Sequence, residues 1–141
     1  SLHKGRVRMN PISGTFRKPS DVDDPSVLRQ FLQKFLRDSK EINELFMVTD
    51  EELKMMATLC DLGGRVMGPY LKEMANLIHT EYVLEGRTTL DVIQLLRGSM
   101  YAATVTGSPV ENACRVIREY ETDARRYYAS ALALIGRDRE G

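Results

Sequence analysis

Apolar positions recur along this chain at two different periods. Val27, Leu28, Phe31, Leu32, Phe35 and Leu36 repeat at helical spacing. Asp24-Pro25 in front of them supplies an N-cap acceptor and a proline for the first helical position, so a helix is predicted to start there. Asp38 is expected to cap a second helix, with Glu41 completing a capping box. Ile42, Leu45, Phe46, Leu53, Met56, Ala57 and Cys60 make its buried face, and Gly63-Gly64 ends it, because glycine accepts the left-handed C-terminal conformation. Thr88-Thr89 opens a further helix with Leu90, Ile93, Leu96 and Met100. Ala102 to Gly107 reads as a short Thr-rich turn. Ser108-Pro109-Val110-Glu111 reads as a capping box with proline at the first helical position, and Val110, Ala113, Cys114, Ile117 and Tyr120 continue that helix.

The other period is that of strands. Residues 1–17 read as extended, with Val7, Met9 and Ile12 among basic and turn residues and Asn10-Pro11 and Ser13-Gly14 as breakers. Lys18 to Asp24 is a polar loop. Ile78, Thr80, Tyr82 and Leu84 alternate with His79, Glu81 and Val83, which favours a strand, while Leu71 to Ala75 fits either type. Tyr127 to Ile135 is a β-rich run followed by a polar turn from Gly136, and a strand there needs a partner beyond it. The expected order is strand, two helices, strands, two helices, strand, which makes the class α+β.

Composition narrows the function. The 141 residues suit one domain, with 43% hydrophobic and 28% charged positions. Lys plus Arg and Asp plus Glu are each 20, so the net charge is zero and lends no support to a nucleic-acid or membrane-surface role. The apolar run Ala129 to Ile135 stops far short of a bilayer span, and the start of the chain is no signal peptide, so a cytoplasmic protein is expected. Cys60 and Cys114 are too few for a disulfide framework or a thiolate metal site and read as reduced core thiols. Neither a nucleophile elbow nor a phosphate- or dinucleotide-binding fingerprint occurs.

Several positions can carry chemistry. Glu41 and Glu44 project from one helix face, and paired carboxylates repel unless a proton or cation lies between them. Oxygen ligands of this kind suit Mg²⁺, although acidic residues in a first helical turn also simply complement the helix dipole. Asp50, Glu51 and Glu52 read as a solvated acidic face. His79, mid-strand, is either a hydrogen-bonded core residue or a base, and points to the same side as Glu81. Thr104-Val105-Thr106-Gly107-Ser108-Pro109 precedes a helix N-terminus and could receive an anion, beyond ordinary capping. Asn10-Pro11-Ile12-Ser13-Gly14-Thr15 is a second hydroxyl-bearing turn. Arg125-Arg126-Tyr127-Tyr128 could offer a cation and a phenol to a carboxylate, or be a helix-end charge pair followed by a strand.

Taken in order, these segments resemble the chorismate-utilising enzymes, the family of the anthranilate synthase large subunit and the isochorismate and salicylate synthases. The resemblance rests on Asn10-Pro11-Ile12-Ser13-Gly14-Thr15-Phe16-Arg17, Lys40-Glu41-Ile42-Asn43-Glu44, the strand with His79, Thr104-Val105-Thr106-Gly107-Ser108-Pro109, and Arg126-Tyr127-Tyr128-Ala129. Val7 to Thr15 together with Glu51-Glu52-Leu53-Lys54-Met55-Met56 look most like the phenazine-pathway 2-amino-2-deoxyisochorismate synthases. The resemblance implies a segment of the chorismate-binding fold, antiparallel sheets layered with helices. It implies that Glu41 and Glu44 are Mg²⁺ ligands, that His79 is the catalytic residue near the departing 4-hydroxyl, and that Thr104, Tyr128, Gly14 and Thr15 line the substrate. The implied reaction is Mg²⁺-dependent conversion of chorismate and ammonia to 2-amino-2-deoxyisochorismate. The ammonia would come from a glutamine amidotransferase domain or subunit, and the complete enzyme would be a homodimer.

The departures are also informative. Leu53-Lys54-Met55 stands where anthranilate synthases usually carry Arg-Asn-Asp, which favours a product that keeps its pyruvyl group. Anthranilate and isochorismate remain the rival products. The resemblance covers a middle segment, so residues 1–141 are expected to be a partial catalytic domain, with the general acid before it and the second pair of metal glutamates after it. A non-catalytic fragment or complementing chain is the alternative from another class.

Overall fold

A computed structural model describes residues 1–20, 24–128 and 130–136. Its elements are β1 (Leu2–His3), β2 (Arg6–Met9), β3 (Ile12–Arg17), α1 (Pro25–Leu36), α2 (Ser39–Leu59), β4 (Gly64–Glu73), β5 (Leu77–Arg87), α3 (Val92–Gly98), α4 (Ala103–Thr106) and α5 (Val110–Tyr120). They divide into two units, Ser1–Leu90 and Asp91–Gly141.

The first unit is an antiparallel sheet built on β5. β4 pairs with β5 over almost its full length, from Gly64↔Gly86 to Glu73↔Ile78. That leaves one edge of β5 for the remaining strands. β2 takes its C-terminal part, Arg6↔Arg87 to Met9↔Leu84, and β3 its N-terminal part, Thr15↔His79 to Arg17↔Leu77. Directly paired residues share a face and successive residues alternate. Ile78, Thr80, Leu84 and Gly86 therefore point one way and His79, Glu81, Val83, Glu85 and Arg87 the other. The first set meets α2: a methyl group added at Gly86 would lie 2.7 Å from Cys60 Cβ. Val7, Leu45, Val48, Met56, Leu59, Ile78 and Leu84 are buried, Leu84 most completely.

Local signals explain the helix starts. Asp24 accepts from Ser26 N–H at 2.8 Å, ahead of Pro25, and Asp38 accepts from Lys40 N–H at 2.8 Å. Gly63, at φ +84°, supplies the left-handed turn that leads from α2 into β4.

The structure corrects several expectations. The Asp38–Glu41 capping box does not form, because the Glu41 carboxylate turns to the Lys40 ammonium instead. The helix after β5 starts at Val92, not Thr88: Asp91 caps it and exchanges hydrogen bonds with Gln94 in a true capping box, while Thr89 bonds Asp61. At α5 the N-cap is Pro109 with no side-chain cap, so Ser108 and Glu111 form no box. The Thr-rich turn contains the short α4. Leu71–Glu73 belongs to β4. Tyr127 to Ile135 forms no strand among its described residues: Arg126, Tyr127 and Tyr128 lie in a turn and 130–136 is irregular. A β-rich stretch makes a strand only where another strand offers hydrogen bonds. The turn expected from Gly136 falls mostly outside the described residues. Cys60 is buried as expected, but Cys114 is exposed. On α2, Ile42 and Phe46 stay exposed while Val48, Thr49 and Glu52 are buried, so the buried face is rotated from the apolar stripe.

Candidate functional site

Glu41 and Glu44 lie on the first turns of α2 with their carboxylates converging on one cation. Lys40 Nζ is 2.9 Å from Glu41 Oε1 and 3.2 Å from Glu44 Oε2. These two bonds, Glu41 first, hold the ammonium above the usual lysine range. Helix geometry thus places both carboxylates within reach of a shared positive charge. The side chains differ in access, Glu41 being 18% exposed and Glu44 38%.

The sheet shapes the ground beneath Glu41. Between Ile12↔Glu81 and Thr15↔His79 the register of β3 shifts, so Ser13 and Gly14 together oppose Thr80. This bulge aims Gly14 N–H at Thr80 Oγ1, 2.9 Å away and buried. A methyl group at Gly14 would lie 2.7 Å from Phe35 Cζ, 2.8 Å from Glu41 Oε2 and 2.9 Å from Thr80 Oγ1. Glycine is therefore required by close approach. The Phe35 ring is in turn tilted against Phe16, with centroids 5.6 Å apart. Beside Glu41 and Thr80 opens a hollow of about 290 Å³ with mainly apolar walls from Leu45, Phe46, Tyr70 and Tyr82.

The residues fit a divalent cation in part. Among the described residues no cluster of three or more His, Cys, Asp or Glu side chains is placed to hold a metal. Mg²⁺, however, is commonly bound by one or two carboxylates, with water and substrate oxygens filling the remaining positions. Two carboxylates already sharing one cationic partner match that donor set.

His79 is placed differently. Its Nδ1 lies 3.0 Å from Thr15 Oγ1 across the β3–β5 pairing. That bond fixes the ring and leaves Nε2 for other chemistry. Glu81 follows on the same face, with its Oε2 3.8 Å from Lys72 Nζ. Because Thr80 points towards Glu41, His79 points to the opposite face of the sheet. The first unit therefore brings Gly14, Thr80 and Glu41 together on the α2 side and Thr15 with His79 on the other. Sequence reasoning missed Thr80 and Lys40. The signal for Thr80 was its place in the strand alternation, and for Lys40 its adjacency to both carboxylates.

The second unit holds Thr104 and Tyr128. Thr104 is exposed on α4, and Tyr128 is 64% exposed in the turn after α5. Arg125 links their segments: Nη1 donates to Val105 O at 3.1 Å, and its guanidinium stacks 5.3 Å from the Tyr128 ring centre. The same guanidinium binds the Glu121 carboxylate, with Nε 2.7 Å from Oε2 and Nη2 on Oε1. This pairing raises Arg125 and lowers Glu121 from their ordinary values. Arg125 thus acts as an internal tie, the charge pair at the helix end, and not as a free cation. In the acidic cluster, Asp50 and Glu51 pair with Lys54 at 2.8 and 2.9 Å, but Glu52 is buried, against the expectation of a solvated face.

Comparison with known proteins adds a family assignment. The family model for chorismate binding enzymes matches residues 1–141. A phenazine-specific anthranilate synthase from Pseudomonas chlororaphis is 55% identical over 141 residues, covering 100% of this chain and 22% of the relative. Anthranilate synthase component 1 of Bacillus caldotenax is 29% identical over 142 residues, covering 97% of this chain and 27% of the relative. The crystal structure of a 2,3-dihydroxybenzoate-specific isochorismate synthase from Bacillus anthracis superimposes with a TM-score of 0.72 at 21% identity, covering 89% of this chain and 33% of that one. The last likeness establishes the fold. The chain spans about a fifth of the length of the Pseudomonas relative.

Proposed function

The chain belongs to the family of chorismate binding enzymes, and from that premise we propose that the complete polypeptide converts chorismate and ammonia to 2-amino-2-deoxyisochorismate with Mg²⁺. The observation that carries this reading is the convergence of Glu41 and Glu44 on one cation beside the glycine-floored bulge of β3. A C–N bond forms at C2 of the ring, the C4–O bond breaks, and the departing hydroxyl takes a proton and leaves as water. Mg²⁺ supplies a Lewis acid for the ring carboxylate of the substrate. Glu41 and Glu44 hold it, and Gly14 keeps the space in front of Glu41 open. His79, oriented by Thr15, assists proton delivery to the departing hydroxyl. A substrate that meets both groups lies across the β3 edge of the sheet, since Glu41 and His79 occupy opposite faces. Thr104 and Tyr128 contact the pyruvyl ether and its carboxylate. A glutamine amidotransferase domain or subunit supplies the ammonia, and the complete enzyme is a homodimer.

A second reading is favoured by the name of the Pseudomonas relative, an anthranilate synthase. Product identification after incubation with chorismate, ammonium and Mg²⁺ separates the two: anthranilate with pyruvate supports the second reading, and an amino product that keeps its pyruvyl group supports the first. In the same assay Glu44→Gln is expected to lower Mg²⁺-dependent turnover about a hundredfold or more. Retained turnover would remove Glu44 from the metal site.

A further inference from the structure

Four arginines gather at one end of the sheet face opposite α2. Arg6 and Arg8 lie on that face of β2, because Val7 between them is buried towards Gly86. Arg87 lies directly across from Arg6, and Arg8 and Arg65 lie on either side of Glu85. Glu85 is engaged by Arg65, whose Nε and Nη2 donate to Oε2 at 3.0 and 2.7 Å. Arg65, then Arg6 and Arg8, hold the Glu85 carboxyl below the usual glutamate range, so these guanidiniums act on one small region.

One carboxylate does not balance this cluster. Arg6 and Arg87 are a like-charged cross-strand pair, an arrangement that is destabilising on its own. Neither guanidinium has an ion pair or hydrogen bond among the described residues. Between them and Arg65 runs an open groove of about 430 Å³ walled by Gly63, Gly64 and Glu85. At Gly63 nothing stands within 4 Å of where a Cβ would be, so a ligand can approach the backbone there. Guanidinium forks around an open glycine turn match the planar, paired oxygens of phosphate and carboxylate groups.

We propose that Arg6, Arg65 and Arg87, supported by Arg8, form a binding site for a small multivalent oxyanion on the sheet face opposite α2. The anion lies between Arg6 and Arg87 and relieves their repulsion. Glu85 orients Arg65 and limits the affinity by its own charge.

The test is calorimetric titration of the complete polypeptide with inorganic pyrophosphate and, separately, with citrate. The two probes distinguish a phosphate from a carboxylate ligand. Binding of one or both is expected at about 50 mM salt, weakening as salt is raised to about 300 mM. Arg6→Gln/Arg87→Gln is expected to weaken it about tenfold or more. Arg29→Gln/Arg37→Gln removes the same charge from elsewhere and should leave it unchanged. Glu85→Gln, which removes the opposing charge, should tighten binding several-fold, a gain that misfolding cannot produce. The proposal is overturned if neither probe binds, if the Arg6/Arg87 variant binds like the parent, if the Arg29/Arg37 variant weakens binding as much, or if Glu85→Gln fails to tighten it.

Discussion

Replacing Gly14 with alanine tests the geometry under Glu41 most directly. The new methyl group would meet Phe35 Cζ at 2.7 Å, Glu41 Oε2 at 2.8 Å and Thr80 Oγ1 at 2.9 Å. These neighbours do not yield equally. The Glu41 carboxylate is the end of a flexible chain with solvent beside it and can swing away. Phe35 is backed by Phe16, and Thr80 is buried and accepts the Gly14 N–H. Overpacking of this kind costs about 1–3 kcal/mol, and weakening a buried hydrogen bond adds about 1 kcal/mol. The expected loss is therefore about 2–4 kcal/mol, or about 1–2 M in urea midpoint for a slope of about 2 kcal/mol/M. Urea unfolding followed by circular dichroism measures it. Thr80→Ala removes one of the contacts, so the double variant should recover about 1 kcal/mol relative to the sum of the singles. The same substitution should weaken Mg²⁺-dependent turnover, because Glu41 is displaced. A Gly14→Ala protein within about 0.5 kcal/mol of the parent, or strict additivity with Thr80→Ala, would refute the packing described for the bulge.

Two further outcomes follow from local structure. Asp91→Ala removes the carboxylate that accepts from the Ile93 and Gln94 N–H groups at the start of α3 and should destabilise the second unit by about 1 kcal/mol, seen as earlier loss of amide protection in residues 92–98; unchanged exchange there would contradict the cap. Asp61 is held below the usual aspartate range by the Thr89 hydroxyl and then by the Thr89 N–H. A depressed folded-state value stabilises the fold above the unfolded value of about pH 3.9, and that contribution is lost as pH falls through the folded value. Asp61→Asn should flatten the acid limb of the stability profile below about pH 4, and an unaltered limb would contradict it.

Much of the first unit was legible in the residues. Asp24-Pro25 and Asp38 are caps whose hydrogen bonds close within two residues, and they form wherever the chain goes. The alternation around His79 identified β5, but Ser13-Gly14, read as a breaker within a turn from Asn10 to Thr15, lies inside β3, where the pairing with β5 absorbs it as a bulge. The conflicts fall where local rules compete. Ser108, read as a cap, is not used, whereas Asp91, passed over in the sequence, caps α3 with Gln94 in the answering position. Thr88-Thr89 looked like a helix start, yet Thr89 is taken by Asp61, a residue 28 positions away.

The helix starts at Asp24 and Asp38 were therefore determined by the sequence alone, because hydrogen bonds that close within two residues decide them. The motifs that resemble the chorismate-utilising family were legible in the same way, and the family match bears that resemblance out. Pairing had to come from the tertiary structure. Only β5, offering hydrogen bonds along both edges, makes Leu71–Glu73 a strand, whereas the described part of Tyr127 to Ile135 pairs with no strand among the described residues. The extra residue in β3 turns Gly14 towards Glu41 while Thr15 meets His79, separating two groups that the sequence places in a single set. Side-chain direction in a strand depends on register, and register is settled by residues some sixty positions apart, as in the 64-residue separation of Thr15 and His79.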